Sequence, residues 1–468
     1  MSRGDLKSAG IRQYITMSNP AIETIREITK GTPYEGHLFL VGGYVRDKIM
    51  GRPSTEDVDL VLEGNALELA QFIHDKGLAD HRPVTYPRFG TAMVTIKGHS
   101  VELVSARKEK YTPNSRKPNV EHAALHEDIL RRDFTINTLL ENLHTGEIYD
   151  FTGMAMADIE AKIIRTPTDP DATFYDDPLR MLRAIRFAAR LGFKIEPLTW
   201  DAILRNAQRL KIVSNERIRD EFAKILLSDN ASRGLCMLSE SSLLDQFAPE
   251  LQEMRGVSQD GGHAYDVWEH TLHALESLPP DADLIVRLAV IFHDVGKPKT
   301  KTRTNGRIRF YGHEDVSAEI TRIVLNRLRF PKDDIARVAR LVSMHMRVGE
   351  YRSEWKDSAV KRLMRDAGDD MPDLLALALA DRRGYAPGSS TSEIEELRRR
   401  IERILINVPV HKIESPLNGR EIMEVLGLPP GPKVKEAKQF LLDEVLEGRL
   451  QPGDKDSAKR LLRERFQC

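Results

Sequence analysis

The distribution of strand and helix signals changes sharply near residue 151, and this change constrains the fold more than any other feature. Before it, short apolar or alternating segments predict strands at 37–43, 57–62 and 91–107, with helical patterns between them. After it, amphipathic spacing predicts helices almost throughout. The sequence therefore predicts an α+β fold in which a mixed head precedes an all-α neck and body.

The chain has 468 residues, which is too long for one ordinary hydrophobic core and predicts two to four domains. A break in the helical pattern at 259–266, QDGGHAYD, begins a segment with several histidines. We predict a leader, a mixed head, a helical neck, a histidine-containing helical body and a C-terminal helical region, at 1–19, 20–150, 151–235, 236–400 and 401–468.

The composition excludes several classes of protein. With 30% charged and 41% hydrophobic residues, the chain resembles soluble globular proteins, and no apolar run approaches the ~20 residues of a membrane span. The 70 basic residues nearly balance the 71 acidic ones, so nucleic acid would need a local basic surface. The two cysteines, Cys236 and Cys468, form no CxxC pair, which excludes a zinc knuckle and fits a reducing cytoplasm. The N-terminal segment lacks the apolar stretch of a signal peptide.

Two carboxylates lie two residues apart in the strand-like segment DVDLVL, at Asp57 and Asp59. Residues i and i+2 of a strand share a face, so both side chains project together. Magnesium prefers such oxygen ligands together with substrate phosphates, and paired metals stabilise an in-line displacement. Glu102, in the apolar strand VELV of the neighbouring hairpin, is a candidate third carboxylate. The alternative is an edge-strand glutamate that faces solvent.

Gly42 and Gly43 follow an apolar strand and precede a helix, where backbone N–H groups can approach phosphate. Arg46 and Asp47 lie one helical turn later. The run GGYVRDKIMGRPSTEDVDLVL resembles the first signature of DNA polymerase β-type nucleotidyltransferases, and more narrowly the class II branch of CCA-adding enzymes and poly(A) polymerases. The resemblance implies that the glycine turn and Arg46 contact the triphosphate, that Asp47 belongs to the same network, and that the paired aspartates hold magnesium.

The segment DILRRDFTINTLL (128–140) interrupts a helix-like apolar pattern with Arg131, Arg132 and Asp133. An arginine can form a bidentate fork to phosphate, although an Arg–Asp pair within the protein is the alternative. RRDFTIN resembles the second signature of the same family. That resemblance implies that Arg132, Asp133 and Asn137 bind the sugar and phosphates of the nucleotide.

Residues 110–128 are polar, contain two prolines and have weak periodicity, which predicts a flexible loop. The resemblance implies that a loop at this place takes part in the switch from C to A addition, and that it is shortened in enzymes that add only CC. Its length here favours CCA addition or A addition over CC addition.

The segment DDPLRMLRAIRFAARLGF (176–193) has clear helix boundaries. Asp177 is a candidate N-cap, Pro178 fits the first helical position and Gly192 can end the helix. Four arginines form a stripe along one side of it, and a solvated basic face is the alternative interpretation. They are Arg180, Arg183, Arg186 and Arg190.

Asp177 and Arg180 lie three residues apart, so we expect their side chains to meet and to bind a nucleobase edge. The segment resembles the family's templating signature EDxxR, with Asp176 in place of the usual glutamate, which implies that the pair selects the base. We include Arg183 and Arg186 among the predicted nucleotide-binding residues. The next helical segment, 214–227, resembles the family's following neck segment.

A histidine–aspartate dipeptide ends the apolar helix LIVRLAVIF, with a histidine upstream in VWEHTLHAL and an aspartate downstream in LLALALADRRG. Imidazole and carboxylate donors together suit transition metals, although a single histidine at any of these places is more often structural. The order resembles the HD phosphohydrolase superfamily. The implied ligands are His270, His293, Asp294 and Asp381, with His313 and His345 as the extra histidines of two-metal members.

Together these resemblances imply transfer of nucleotides from CTP and ATP to the 3′ end of tRNA without a nucleic-acid template. They imply Mg²⁺ in the head and a divalent transition metal in an HD module that hydrolyses 2′-phosphate or 2′,3′-cyclic phosphate ends. Three alternatives stay open: an A-adding enzyme or poly(A) polymerase, a protein that is mainly an HD phosphohydrolase, and a non-catalytic RNA-binding protein. The pair of carboxylates argues against a non-catalytic RNA-binding protein, because two neighbouring negative charges without a function would repel each other and destabilise the fold.

Overall fold

The computed structural model describes residues 19–53, 58–112, 115–260, 264–407 and 414–466. The chain forms two compact units, Met1–Phe247 and Ala248–Cys468. Residues 1–18 of the predicted leader, and Asp57, lie outside the described residues. Within the described ranges, no helix is both long enough and apolar enough to cross a membrane.

The first unit contains a seven-stranded mixed sheet and two separate strand pairs. Its strands are β1 (Leu38–Val41), β2 (Val58–Leu62), β3 (Val84–Tyr86), β4 (Thr91–Ile96), β5 (His99–Ser105), β6 (Arg107–Thr112), β7 (Ser115–His122), β8 (Leu140–Asn142), β9 (Ile148–Tyr149), β10 (Ile163–Ile164) and β11 (Lys194–Ile195). The order in the large sheet is β3-β4-β5-β2-β1-β8-β9, and only β2 and β5 are parallel neighbours in it.

The strand predictions for the head are confirmed. The apolar strand β1 is buried along its whole length, and β4 and β5 form the predicted hairpin with its turn at Lys97 and Gly98. On β2 the apolar residues are buried on both faces of the sheet, and Asp59 is the residue of this strand that stays partly exposed. Four helices accompany the sheet: α1 (Pro20–Thr29), α2 (Gly43–Ile49), α3 (Ala66–Asp75) and α4 (Leu125–Leu130).

The prediction of a flexible loop over 110–128 is wrong. Strands β6 and β7 form an antiparallel ribbon there, separate from the large sheet, and α4 follows. The paired residues are almost all polar, as in Lys108 with Glu121 and Lys110 with Asn119. A segment made almost entirely of polar residues has no alternation of apolar and polar positions, so hydrophobic periodicity cannot reveal its strands.

The neck consists of α5 (Ala155–Ala161), α6 (Pro170–Asp176), α7 (Leu179–Leu191), α8 (Pro197–Asn206), α9 (Asn215–Leu226) and α10 (Ala231–Glu240). The arginine-striped helix is α7, and Gly192 ends it with φ 74° as predicted. Asp177 lies in extended backbone before the helix and caps it through Oδ1, which accepts from Leu179 N–H at 3.2 Å. Helix α7 packs against both α9 and α10.

The second unit is helical, as predicted, apart from one short hairpin, β12 (Thr302–Thr304) with β13 (Arg307–Arg309). Its helices are α11 (Pro249–Gln252), α12 (Val267–Glu276), α13 (Leu284–Phe292), α14 (Lys297–Thr300), α15 (His313–Arg327), α16 (Lys332–Gly349), α17 (Asp357–Ala367), α18 (Met371–Gly384), α19 (Ser392–Asn407), α20 (Gly419–Leu426), α21 (Pro432–Leu446) and α22 (Lys455–Phe466). Helices α12, α13, α15, α16 and α18 pack together and carry the predicted metal ligands.

Candidate functional site

Two of the three predicted carboxylates of the head lie side by side. Asp59 on β2 pairs in register with Glu102 on the parallel strand β5. Paired residues of neighbouring strands project from the same face, and both side chains are partly exposed. Their oxygen donors fit Mg²⁺. Asp57, the remaining member of the predicted set, lies outside the described residues.

The glycine turn lies directly against Asp59. Gly42 has φ 76° and ψ −138°, a conformation that residues with a Cβ rarely adopt. A Cβ at this position would stand 3.4 Å from Asp59 Oδ2. Glycine is therefore needed both for the backbone of the turn and for its close approach to the carboxylate.

Arg46 is fully buried, which differs from the expected direct contact with triphosphate. Its Nε donates to Asp47 Oδ1 at 2.8 Å, and its Nη1 donates to Asn137 Oδ1 at 2.8 Å. In this structure the guanidinium positions Asn137, which belongs to the second signature. The spacing of the motif in the sequence identified the residue but not the direction of its side chain.

Asp133 joins the second signature to the neck. Its Oδ1 accepts from Asn137 Nδ2 at 3.1 Å, and its Oδ2 accepts from Arg183 Nε at 2.8 Å. Burial alone would raise the pKa of the Asp133 carboxyl, but the Arg183 guanidinium and the Asn137 hydrogen bond hold it well below its usual range. Asp133 is therefore an ionised anchor for two predicted nucleotide-binding residues.

The Arg–Asp pair considered as the alternative for RRDFTIN is also present. Arg131 Nη2 lies 2.6 Å from Asp128 Oδ1, and Arg132 Nη2 lies 3.1 Å from Asp128 Oδ2. Burial would raise the pKa of Asp128, but the two arginines outweigh that effect and lower it. Arg132 nevertheless borders a cavity, so it combines an internal pair with an accessible position.

That cavity, of about 790 Å³, lies between the sheet of the head and the neck helices. Its lining contains eight of the predicted site residues. The lining residues are Gly42, Gly43, Asp59, Arg132, Asp133, Asn137, Arg183, Arg186, Phe187, Arg190, Lys224, Leu227, Ser228 and Asp229. Five of them are cationic and three are acidic, so the cavity suits an anionic ligand that carries several charges.

The arginine stripe of α7 is not a simple solvated face. Arg186 is 8% exposed, forms an ion pair with Glu221 at 2.9 Å and stacks over the Phe187 ring at 4.3 Å. Arg190 Nη2 lies 4.0 Å from Asp47 Oδ2. These contacts fix the arginines at the cavity and connect α7 to the first signature.

In the second unit, three histidines are oriented by the backbone. The Nδ1 atoms of His293, His313 and His345 lie 2.6–2.8 Å from carbonyl oxygens. A carbonyl can only accept, so each Nδ1 carries a proton, and the neutral form of each ring has its lone pair on Nε2. Metal-binding histidines are held in this way.

The six predicted ligands form two adjoining groups. In each group, one ligand atom from every residue lies within 4.8 Å of the others. Asp294 connects them, because its Oδ2 is 3.2 Å from His293 Nε2 and its Oδ1 is 3.3 Å from His313 Nε2. The groups are His270, His293 and Asp381, and Asp294, His313 and His345. The imidazole and carboxylate donors of both groups fit divalent metal ions, for which these residues would supply the ligands.

The protonation of this cluster follows from its burial and charges. Burial would lower the pKa of His293, but Asp294 and Asp381 outweigh it and raise the pKa to about 10. Burial and the neighbouring His293 lower the pKa of His345 to about 4. A metal ion bound by these residues would compete with protons for the same nitrogen atoms.

Three family models match the chain. "Poly A polymerase head domain" matches residues 38–165, "Probable RNA and SrmB- binding site of polymerase A" matches 192–254, and "HD domain" matches 261–384. The first match lies within the unit that holds the glycine turn and the cavity, and the second lies mostly within it. The third spans all six predicted histidine and aspartate ligands.

Full-length relatives decide the family. The chain is 36% identical over 439 residues to the CC-adding tRNA nucleotidyltransferase of Thermus thermophilus, a match that covers 91% of this chain and 92% of the relative. It is 35% identical over 426 residues to the A-adding tRNA nucleotidyltransferase of Deinococcus radiodurans, covering 88% and 92%. The chain belongs to the tRNA nucleotidyltransferase family. The fold agrees, since the CCA-adding enzyme of Bacillus stearothermophilus in complex with CTP superimposes with a TM-score of 0.70 at 24% identity, covering 96% and 98%.

In this tRNA nucleotidyltransferase the expected contact between Asp177 and Arg180 is replaced by separate partners. Asp177 Oδ2 lies 3.0 Å from Arg217 Nη2, and Arg180 Nη2 donates to the Arg131 carbonyl at 2.6 Å. The prediction that the two side chains meet assumed that both lie within one helix. Asp177 precedes α7, so the i,i+3 rule does not apply to it.

Several residues near the sites of this tRNA nucleotidyltransferase were not predicted. Lys224 and Asp229 border the cavity from the end of α9, and Lys297 Nζ lies 2.6 Å from Asp294 Oδ2. The sequence carried a weak signal for Lys297, because this lysine follows the predicted ligand Asp294 by three residues. Lys224 and Asp229 belong to an ordinary amphipathic pattern, which carries no functional signal.

Proposed function

We propose that the chain completes or repairs the 3′ end of tRNA by adding CMP and AMP from CTP and ATP, without a nucleic-acid template. The observation that carries this proposal is the register pairing of Asp59 with Glu102 against the glycine turn, at the edge of a cationic cavity. Such a site can hold the phosphates of a nucleotide beside an acidic metal-binding edge. The membership of the family supports tRNA as the acceptor.

In the proposed reaction, the 3′-hydroxyl of the RNA attacks the α-phosphorus of the nucleotide, and the bond to the pyrophosphate breaks. Mg²⁺ held by Asp57, Asp59 and Glu102 would supply stabilisation of the attacking and leaving oxygens. The chain's own part is orientation: Arg132, Arg183 and Arg186 face the polyphosphate, and Asn137 faces the sugar.

The number and kind of nucleotides added is the finer part of the proposal. One relative adds CC and another adds A, at almost the same identity to this chain, so overall similarity does not choose between them. The full-length segment between the two signatures favours CCA or A addition over CC addition. We propose complete CCA addition, with A-only addition as the second candidate.

The deciding experiment incubates three tRNA acceptors with CTP, ATP or both, and sequences the products. The acceptors end before the CCA, after the first C and after CC. Complete CCA addition to all three supports the proposal. Uptake of ATP onto the CC-ending acceptor without any uptake of CTP would establish A-only addition, and Asp59→Asn serves as the inactive control.

We propose a second, independent activity for the histidine-rich cluster, which is metal-dependent hydrolysis of phosphate esters at RNA ends. It is supported by the two ligand groups that share Asp294 and by the Nδ1 contacts that leave each Nε2 available. Release of phosphate from RNA with a 2′-phosphate or 2′,3′-cyclic phosphate end, measured with Mn²⁺, Co²⁺ or Ni²⁺, tests it. Hydrolysis without nucleotide addition would favour a protein that is mainly an HD phosphohydrolase.

A further inference from the structure

A strongly basic segment lies in the sequence between two ligands of the metal cluster. Residues 295–313 contain six lysines and arginines and no acidic residue, in a chain whose net charge is only −1. They form α14 and the hairpin β12–β13 and end at His313. The segment therefore starts directly after Asp294 and returns to the next ligand, which makes the hairpin a neighbour of the cluster along the chain.

The hairpin carries three arginines, Arg303, Arg307 and Arg309. In the described part of the chain, no carboxylate forms an ion pair with any of them, whereas some other arginines of this unit are paired, as Arg327 is with Glu250. Arg303 and Arg307 are exposed, and Arg309 is partly exposed. Exposed arginines without a carboxylate partner among the described residues favour an anionic ligand over a structural role.

The geometry of the hairpin presents these cations in a regular way. Asn305 and Gly306, with φ 51° and 76°, make the tight turn that suits a two-residue hairpin. Register pairs Thr302 with Arg309 and Thr304 with Arg307, so two arginines share one face with two hydroxyl groups. Arg303 projects from the other face. Both faces can therefore contact phosphates along a strand.

An exposed aromatic residue completes the surface. Tyr311 is 72% exposed, and it lies two residues before the ligand His313. A base of single-stranded RNA can stack on such a ring while cations contact the backbone. The loop before the cluster anchors the hairpin, because Asp260 Oδ2 accepts from Ile308 N–H at 2.6 Å and Lys301 Nζ donates to Ser258 Oγ at 2.9 Å.

We infer that the hairpin β12–β13 and Tyr311 form an RNA-binding arm, which holds the single-stranded 3′ region of an RNA so that its terminal phosphate reaches the metal cluster. Five of the six ligands are almost wholly buried, so a polymer substrate needs contacts outside the cluster to be held there. The inference rests on the proposed phosphohydrolase function and deepens it: the substrate is an RNA end and not a free nucleotide.

The test compares two triple variants of the full chain with equal net charge. One replaces Arg303, Arg307 and Arg309 with glutamine. The other replaces Arg322, Arg398 and Arg420, whose partners Glu319, Glu402 and Glu424 lie one turn away on the same helices. Each is assayed with a short single-stranded RNA that ends in a 2′,3′-cyclic phosphate, and with 2′,3′-cyclic AMP.

We expect the hairpin variant to raise the KM for the RNA roughly tenfold. We also expect the slope of log KM for the RNA against log salt concentration to become smaller by about two. The KM for 2′,3′-cyclic AMP and the kinetics of nucleotide addition to tRNA stay unchanged, and the matched variant changes none of these. An equal loss on both hydrolysis substrates, an equal loss in nucleotide addition, or the same loss in the matched variant would overturn the inference.

A second measurement does not depend on hydrolysis. An RNA with 4-thiouridine at its 3′ end is crosslinked to the protein by light, and the modified peptide is identified by mass spectrometry. We expect the adduct on the peptide that contains Tyr311, and its loss in Tyr311→Leu. If the parent protein hydrolyses neither substrate, the phosphohydrolase proposal fails, and the crosslink alone tests the RNA-binding arm. An adduct on a different peptide would contradict the arm. So would an acidic peptide that prevents the crosslink as effectively as unlabelled RNA does.

Discussion

Asp133 and Arg183 lie 50 residues apart in the sequence, and their side chains form a two-point contact: Asp133 Oδ2 is 2.8 Å from Arg183 Nε and 2.6 Å from Nη2. The contact joins the second signature to the neck helix α7. Because Asp133 also binds Asn137, one carboxylate fixes a residue of the proposed sugar site and an arginine of the proposed phosphate site.

Replacing Asp133 with asparagine leaves Arg183 without its counter-charge. Removal of one member of a buried pair costs about 3 kcal/mol, the low end of the usual range, because Arg183 is 35% exposed. We expect the free energy of unfolding of the first unit to fall by that amount in urea, and the KM for CTP and ATP to rise about tenfold. Arg205→Gln, which breaks an exposed pair with Asp171, should cost at most about 1 kcal/mol. An unchanged KM in Asp133→Asn would contradict the positioning role.

The same pair predicts a pH dependence. The pKa of Asp133 is lower in the folded protein than in the unfolded chain, where it is about 4. The folded state therefore binds this proton less readily, and the stability that the ionised carboxylate supplies is present above the unfolded pKa and lost as pH falls through the folded value. We expect the difference in unfolding free energy between the protein and Asp133→Asn to be constant from about pH 8 to 5 and to shrink below about pH 4. A difference that grows on acidification would refute this assignment.

The glycine turn makes a separate prediction. Gly42→Ala would force a Cβ into a backbone conformation that is strained for alanine, at 3.4 Å from Asp59 Oδ2. We expect a loss of about 1–3 kcal/mol in stability and a fall in kcat for nucleotide addition of at least tenfold. Gly31→Ala is the matched control, since Gly31 also has a positive φ, 67°, but no atom within 4 Å of the new Cβ. Similar kcat losses in both variants would show that strain alone, without the approach to Asp59, explains the effect.

The sequence predicted most of the elements and much of the site, because both rest on local patterns. The strand-like pattern of residues 57–62 predicted β2, and the glycine at position 192 predicted the C-terminal end of α7. Both patterns are readable within a few residues. The six histidine and aspartate ligands, spread from residue 270 to residue 381, were predicted from the resemblance to the HD superfamily, and the fold brings them together in two groups.

What the sequence did not predict depends on long-range contacts. Nothing local indicates that Arg46 is buried against Asn137, 91 residues away, or that Asp177 pairs with Arg217. The ribbon β6–β7 was missed because its pairing is polar. Side-chain direction and partner choice are set by packing between segments, which single-sequence periodicity does not report.

The pairing of Asp177 with Arg217 leads to a prediction about base selection. If Asp177 selects the base, as the EDxxR resemblance implies, then Arg217 competes for its carboxylate in the nucleotide-free protein. We expect Asp177→Ala to increase incorporation of UTP and GTP relative to CTP and ATP at least tenfold, and Arg217→Gln to preserve selectivity. Sequencing of products from an equimolar mixture of the four nucleotides measures both. Equal relaxation in the two variants would assign selection to the pair and not to Asp177 alone.

Asp294 is the residue on which the second proposed activity depends most. Its two oxygens face different ligand groups, so Asp294→Asn removes the charge and one of the two oxygen donors of this side chain. We expect the metal content after reconstitution to fall from two ions per chain to at most one, by elemental analysis, and hydrolysis of RNA-end phosphate to fall at least a hundredfold. Nucleotide addition should stay at the parent rate, and Asp59→Asn should show the reverse pattern.

Glu314→Gln is the matched control, because this carboxylate lies 3.5 Å from His313 Nδ1, on the ring edge that faces away from the cluster. Equal metal loss in Glu314→Gln and Asp294→Asn would show that any negative charge near His313, and not the Asp294 carboxylate in particular, holds the ions.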